Sequence, residues 1–186
     1  ENISSILDNN GDLFFGVDAT ETNFKNYNYA NTNLLFFATH GLISGELKGL
    51  NEPGLVFTPP DQVTTVDDGI LTASEILDFN FPTLDLVVLS ACNTSSGTIE
   101  NPEELSGLTR SFFYSGANSI LVSHWPVVSD SAVKLTTQMI KYMKNNKLSN
   151  GMALQRSMID FINNVDEDYE AHPIFWAPFM LIGENR

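Results

Sequence analysis

The chain has 186 residues, of which 42% are hydrophobic and 17% charged, a composition typical of one globular domain rather than of a disordered segment. Nine basic residues stand against 23 acidic ones, and the resulting formal net charge of -14 argues against direct binding of nucleic acid. A single cysteine excludes an internal disulfide and a zinc site with several thiolates, and it fits a reducing compartment such as the cytoplasm.

The chain's ends and its hydropathy bear on its context. No apolar run approaches the roughly 20 residues that a membrane-spanning helix needs, so no membrane partner is expected. The sequence begins at Glu1 without an initiator methionine. We therefore expect residues 1–186 to form one domain of a longer protein, with its first elements upstream.

Short apolar runs alternate with helical stretches along the chain. The runs are rich in branched and aromatic residues, which predicts strands buried on both faces at 33–39, 84–90, 118–123 and 178–182. Residues 45–81 are rich in Gly, Pro and Asp, and predict loops around a short strand at 55–57 and a small helix at 73–77.

Three longer helices are predicted between these strands. The first runs from 101 to about Gly116, with Asn101 as N-cap and Pro102 at its first position. The second begins with Ser129 or Asp130 as its N-cap and ends at 145–147; the third covers 150–163. This alternation predicts an α/β fold, a three-layer α/β/α sandwich with a mostly parallel sheet.

Two of the predicted strands end in residues that can react. The first leads into His40 and Gly41, and the second into Cys92. Because ligands bind at the carboxyl ends of strands in an open parallel sheet, His40 and Cys92 share one crevice if their strands are neighbours, and we expect them at the ends of adjacent strands. A histidine can accept the thiol proton and later protonate a leaving amine, while the N–H groups of Gly41 and Cys92 can hold an oxyanion.

The segments around this pair resemble the CHAT family of caspase-like peptidase domains, which are often attached to tetratricopeptide repeats. The resemblance covers nearly the whole chain in a fixed order of motifs. They are the segments 18–24, 35–41, 68–76, 86–94, 107–112, 116–117, 123–127 and 172–179.

Caspases, a related group, place a histidine about 50 residues before a Gln-Ala-Cys motif. This chain keeps Ala91-Cys92 and that spacing, but Ser90 and Thr94 differ from the caspase residues, so specificity for Asp is not carried over.

The resemblance implies a cysteine endopeptidase that acts on a protein through His40 and Cys92, without a cofactor. By analogy with separases, Asp130 is the acid that would select Arg or Lys before the cleaved bond, although it can also simply cap a helix. Trp125, Asn93 and Thr94 are further candidates for substrate contact. A bacterial, cytoplasmic setting and a regulatory domain or partner outside this chain, such as tetratricopeptide repeats, are also expected.

Other interpretations stay open at this point. The chain can be an interaction module that keeps the fold and cuts nothing, or it can use the same pair for another acyl transfer such as amide ligation. His124 can line the crevice or have a structural role beside Trp125, and His172 is expected to belong to a packed aromatic segment. The three histidines lack the spacing of metal ligands, which argues against a metal site.

Overall fold

The computed structural model describes residues 3–7, 11–64, 66–90, 104–125 and 127–184. In chain order, its helices and strands are α1 (Ile3–Ile6), α2 (Glu21–Asn26), β1 (Leu34–Phe37), β2 (Gly41–Leu42), β3 (Gly54–Val56), β4 (Ile70–Thr72), α3 (Ala73–Ile76), β5 (Leu86–Leu89), α4 (Glu104–Tyr114), β6 (Ser119–Ser123), α5 (Ser129–Asn146), α6 (Asn150–Asn163), α7 (Pro173–Trp176) and β7 (Phe179–Gly183). Short 3-10 turns lie at Gly16–Asp18 and Asp168–Ala171.

The main sheet contains the four strands predicted from the apolar runs, in the order β1-β5-β6-β7. Strands β1, β5 and β6 are parallel neighbours, and β7 pairs antiparallel with β6. The predicted α/β sandwich with a mainly parallel sheet is therefore confirmed, and the last strand runs against the others.

Hydrophobic clusters cover both faces of this sheet. In β5, Val87 and Leu89 point into a cluster that includes Phe112 of α4, while Leu86 and Val88 point into one that includes Leu135 of α5. All four residues of β5 are buried, because successive side chains of a central strand must each meet a helical layer. Helices α2, α3 and α4 contribute to the first cluster, and α5, α6 and α7 to the second.

A second, three-stranded sheet has the order β2-β3-β4, and two of its strands, β3 and β4, lie in the segment 45–81 that was predicted to be mostly loops. The expected short strand at 55–57 is β3, observed one residue earlier, and it pairs antiparallel with β2 and with β4. The prediction was wrong in giving this region a single strand. Strands β2 and β4 have only two and three residues, too few for a periodic pattern, and they are stabilised by pairing with β3.

The long helices end largely where the sequence predicts. Helix α4 stops at Tyr114, and Gly116 follows with a φ of 113°. Its predicted N-cap at Asn101 lies outside the described residues. Helix α5 begins at Ser129 with Val128 in the N-cap position and no side-chain cap, so the prediction that Ser129 or Asp130 caps it was wrong. Among the described residues, no helix is long and apolar enough to cross a membrane.

Aromatic side chains fill the first cluster around Phe24 of α2. Its ring centroid lies 5.3 Å from that of Tyr29, 5.6 Å from that of Phe37 and 5.1 Å from that of Phe79. Tilted and edge-on contacts of this kind stabilise beyond simple burial. They hold α2 against β1, the strand that leads to His40.

Candidate active site

The two strands that precede His40 and Cys92 are parallel neighbours. Phe37, the last residue of β1, lies opposite Leu89, the last residue of β5. The Ser90 N–H donates to the Phe37 carbonyl at 3.0 Å. The chain therefore leaves both strands at the same edge of the sheet, as predicted. Cys92 lies outside the described residues, as do Asn93 and Thr94, so the meeting of thiol and imidazole stays a prediction.

His40 lies on the connection between the two sheets. Strand β1 ends at Phe37 and β2 begins at Gly41, which leaves three residues to pass from one sheet to the other. The Val56 N–H donates to the His40 carbonyl at 2.8 Å, and the Thr39 hydroxyl donates to the Val56 carbonyl. The His40 residue itself is exposed, so its backbone is held while its side chain lies at the surface.

Gly41 is the first residue of β2 and pairs with Leu55 of β3. It is half-buried at the point where the chain turns away from the main sheet. The predicted contribution of its N–H, together with that of Cys92, to an oxyanion hole stays a prediction.

The end of β6 brings two more candidates to the same edge of the sheet. His124 is exposed, and its Nε2 lies 3.4 Å from the sulfur of Met180 on β7. The indole N–H of Trp125 donates to the Ile174 carbonyl at 3.1 Å, and 36% of the residue is exposed. Since β5 lies between β1 and β6, its carboxyl end lies between the segment that leads to His40 on one side and the segment that leads to His124 on the other.

Asp130 is exposed in the first turn of α5. A carboxylate in this position interacts favourably with the helix dipole. Because Asp130 does not cap the helix, its side chain is not committed to the role that would compete with substrate binding. Its place in a specificity pocket stays a prediction.

His172 has a local structural role. It occupies the N-cap of α7, and its Nδ1 accepts the Ile174 N–H at 3.2 Å. Trp176, which follows in α7, packs against the hydrophobic cluster under α5 and α6. Within the described part of the chain, no group of three or more His, Cys, Asp or Glu side chains could hold a metal ion.

Sequence reasoning missed a cluster of charged side chains that joins α2 to α3. Lys25 forms ion pairs with Glu21 and, at 2.6 Å, with Glu75. Glu21 is only 1% exposed, and its second oxygen accepts the N–H groups of Asp68 at 2.9 Å and Gly69 at 3.0 Å. Burial raises the pKa of Glu21, against the opposing effect of Lys25.

Asp67 and Glu75 complete this cluster. Hydrogen bonds from Thr22 lower the pKa of Asp67, and its other oxygen accepts the Gly69 N–H at 3.2 Å. Burial tends to raise the pKa of Glu75, but bonds from Lys25 and Thr72 outweigh it and the net direction is downward.

The charged cluster holds the second sheet to α2. It fixes the turn before β4, and through β4 and β3 it supports the backbone next to His40. One part was readable in the sequence: Thr72 and Glu75 form a capping box, a motif with a known spacing. The ion pair between Lys25 and Glu75, which are 50 residues apart, had no local signal.

The class of protein is thus a three-layer α/β domain with a mainly parallel sheet. A histidine follows the strand β1, and in the sequence a cysteine follows its neighbour β5. The chain matches the CHAT domain over residues 1–184 and belongs to this family, which is related to the caspase-like peptidases.

Two curated relatives carry the same similarity. Human tetratricopeptide repeat protein 28 is 32% identical over 117 residues, which are 62% of this chain and 4% of that protein. Its mouse counterpart is 28% identical over 163 residues, 79% of this chain and 6% of that protein. The chain thus spans a small fraction of these relatives. Their names fit a connection with repeats, and the bacterial and cytoplasmic setting stays a prediction.

Proposed function

We propose that this domain is a cysteine endopeptidase in which His40 and Cys92 act together. The observation that carries the proposal is the parallel pairing of β1 with β5, in register up to Phe37 and Leu89. Because of this pairing, the strand that precedes His40 and the strand that precedes Cys92 end side by side at one edge of the sheet. Membership in a family related to caspase-like peptidases supports the same reading.

The proposed reaction forms and breaks one bond to the thiol. His40 takes the proton of Cys92, and the thiolate attacks the peptide carbonyl carbon while backbone N–H groups stabilise the oxyanion. The C–N bond then breaks, and the imidazolium gives its proton to the leaving amine. Water, deprotonated by His40, hydrolyses the thioester and releases the acid product.

The first test is cleavage of a peptide library by the wild type, Cys92→Ala and His40→Ala. We expect both substitutions to lower kcat/KM by about 10³-fold or more, because the nucleophile or its base is lost. His172→Ala is the matched control, since His172 caps a short helix and is expected to keep activity. Cleavage that persists in Cys92→Ala would remove the mechanism.

Two further measurements separate the alternatives. A catalytic thiol should be alkylated by iodoacetamide faster than an ordinary one at neutral pH, and more slowly in His40→Ala. Equal, slow alkylation in both proteins, without cleavage, would favour an interaction module. Mass spectrometry of the products distinguishes hydrolysis from amide ligation, because hydrolysis adds the elements of water and ligation joins two peptides.

A finer part of the proposal concerns specificity and control. Asp130 and Trp125 lie on the segment that follows β6, the strand beside β5, and we assign them to binding of a basic residue before the cleaved bond, with Asn93 and Thr94 lining the groove. Regulation is assigned to a domain or partner outside this chain. The tetratricopeptide repeats in the names of both relatives make such repeats the first candidate.

A further inference from the structure

Thr39 forms an unusual contact at the junction of the two sheets. In a regular antiparallel pair, residues opposite each other exchange two bonds, each N–H going to the other carbonyl. His40 and Val56 stand in that relation beyond the end of β2, and the Val56 N–H does donate to the His40 carbonyl at 2.8 Å. The Val56 carbonyl, however, accepts the Thr39 hydroxyl.

These two bonds hold the backbone on both sides of the His40 α-carbon, and we call them the clamp. The Thr39 side chain binds one polar group of Val56, and the His40 carbonyl binds the other. On the other side of the junction, the Ser90 N–H binds the Phe37 carbonyl at 3.0 Å. The segment 38–40 is therefore fixed at its start to the main sheet and at its end to β3.

The clamp rests on a rigid support. Leu55 and Leu71, in β3 and β4, are completely buried, and the cluster of Glu21, Lys25 and Glu75 anchors the end of β4 to α2. His40 has no such packing of its own, because it is exposed. The direction in which its side chain leaves the backbone is thus set by the residues on either side, and that backbone is held by the Val56 N–H and by Thr39.

We propose that Thr39 is a positioning residue for His40: its hydroxyl fixes the backbone so that the imidazole is aimed at the nucleophile leaving β5. This inference rests on the proposed peptidase function. Thr39 takes no part in proton transfer and contacts no reacting atom. Its loss lets the imidazole move, and small misplacements of a catalytic group can lower rates by about 10²-fold.

The test compares Thr39→Val, which keeps the shape and removes the hydroxyl, with Thr39→Ser, which keeps the hydroxyl. We expect Thr39→Val to lower kcat by about 10- to 100-fold with KM nearly unchanged, and to shift the pH profile of Cys92 alkylation towards that of His40→Ala. Thr39→Ser should stay within about threefold of the wild type in both measurements, since it can still donate the bond.

A matched control removes the same type of bond from the other end of β1. The Thr83 hydroxyl donates to the Thr32 carbonyl at 3.0 Å, before β1 begins. Thr83→Val should therefore leave the alkylation profile unchanged even if it lowers stability. Thr39→Ala provides a second, less crowded variant, with folding of each checked by circular dichroism.

The outcomes separate this inference from the proposed function. If Thr39→Val and Thr39→Ala match Thr83→Val in kcat and in the alkylation profile, Thr39 does not position His40, whereas the peptidase proposal stands. If the wild type itself shows no cleavage dependent on Cys92, the proposed function fails. A change in the His40 ring signals in nuclear magnetic resonance spectra of Thr39→Val would still support the structural clamp without any activity.

Discussion

Asp67 is a buried carboxylate whose hydrogen bonds make a testable contribution to stability. Only 6% of the residue is exposed, and its oxygens accept bonds from Thr22 and Gly69. These bonds lower its pKa from the ordinary value of 3.8, so the ionised form is favoured by folding. The stabilisation is fully present above pH 3.8 and is lost as the pH falls through the folded-state pKa.

We expect Asp67→Asn to lower the free energy of unfolding at pH 7 by about 1.5–3 kcal/mol, the contribution of hydrogen bonds to a charged group. The difference from the wild type should shrink as the pH falls below 3.8. Urea unfolding at several pH values measures both. Asp68→Asn is the control, because Asp68 is exposed and accepts one bond, from the Ile70 N–H at 2.9 Å. If the difference in the free energy of unfolding between Asp67→Asn and the wild type stays constant with pH, the lowered pKa of Asp67 is contradicted.

At the level of single residues, the sequence indicated positions at the sheet edge but not the contacts that hold them. His40 and Gly41 could be singled out because they follow a buried apolar run. The role of Thr39 could not, since it depends on Val56, whose strand was predicted but whose pairing with the segment around β2 was not. Asp130 was predicted either to cap α5 or to bind a basic residue. The structure excludes the capping role, because α5 begins at Ser129 with Val128 as its N-cap.

Among the secondary-structure elements, predictability followed length and burial. Strand β6 and helices α5 and α6 have continuous or periodic apolar patterns, and their bounds came within a few residues of those predicted. Strands β2 and β4 are defined by their hydrogen bonds to β3. The antiparallel direction of β7 also had no signal, because a buried strand reads the same in either direction.

The turn between α4 and β6 depends on Gly116. Its φ of 113° is unfavourable for other residues, and a Cβ there would lie 2.5 Å from the Phe81 carbonyl oxygen. We expect Gly116→Ala to lower the free energy of unfolding by more than about 1–3 kcal/mol, the cost of backbone strain alone, because the clash adds to it. Thermal and urea unfolding measure the loss.

Gly49→Ala separates these two contributions. Gly49 also has a positive φ, of 96°, but nothing lies within 4 Å of the position its Cβ would take. It should therefore show the strain without the clash. If both variants lose the same stability, the close approach of Gly116 to Phe81 contributes nothing, and the packing of this turn is looser than the structure shows.

In the molecule as a whole, the sheet order determines the candidate site. Strand β5 is buried between β1 and β6, and both neighbours are parallel to it. The carboxyl end of β5 is thus flanked by the segments that follow Phe37 and Ser123. Sequence alone predicted that β1 and β5 would be neighbours, because each apolar run ended in a residue suited to the same reaction. The distance between the Cys92 and His40 side chains stays outside this prediction, because Cys92 lies outside the described residues.

In the proposed peptidase, the net charge of -14 would act on a substrate from a distance, whereas Asp130 would act by contact. A negative surface attracts a basic peptide and raises its association rate, and added salt screens this attraction. We therefore expect kcat/KM for a lysine-flanked peptide to fall about tenfold between about 0.02 and 0.5 M salt. A peptide with the same Arg before the cleaved bond but acidic flanks should change little.

Asp130→Asn tests the local part of this attraction. A carboxylate in contact with a guanidinium is less screened than charges farther apart, so the variant should lose about tenfold in preference for Arg over Gln before the cleaved bond, even in high salt. Asp78→Asn removes the same charge from an exposed position after α3 and should keep the preference. If the Asp130 variant behaves like the Asp78 variant, the basic preference comes from the overall field or from another residue. If neither salt nor Asp130 affects the choice of peptide, the acidic surface has no part in substrate recognition.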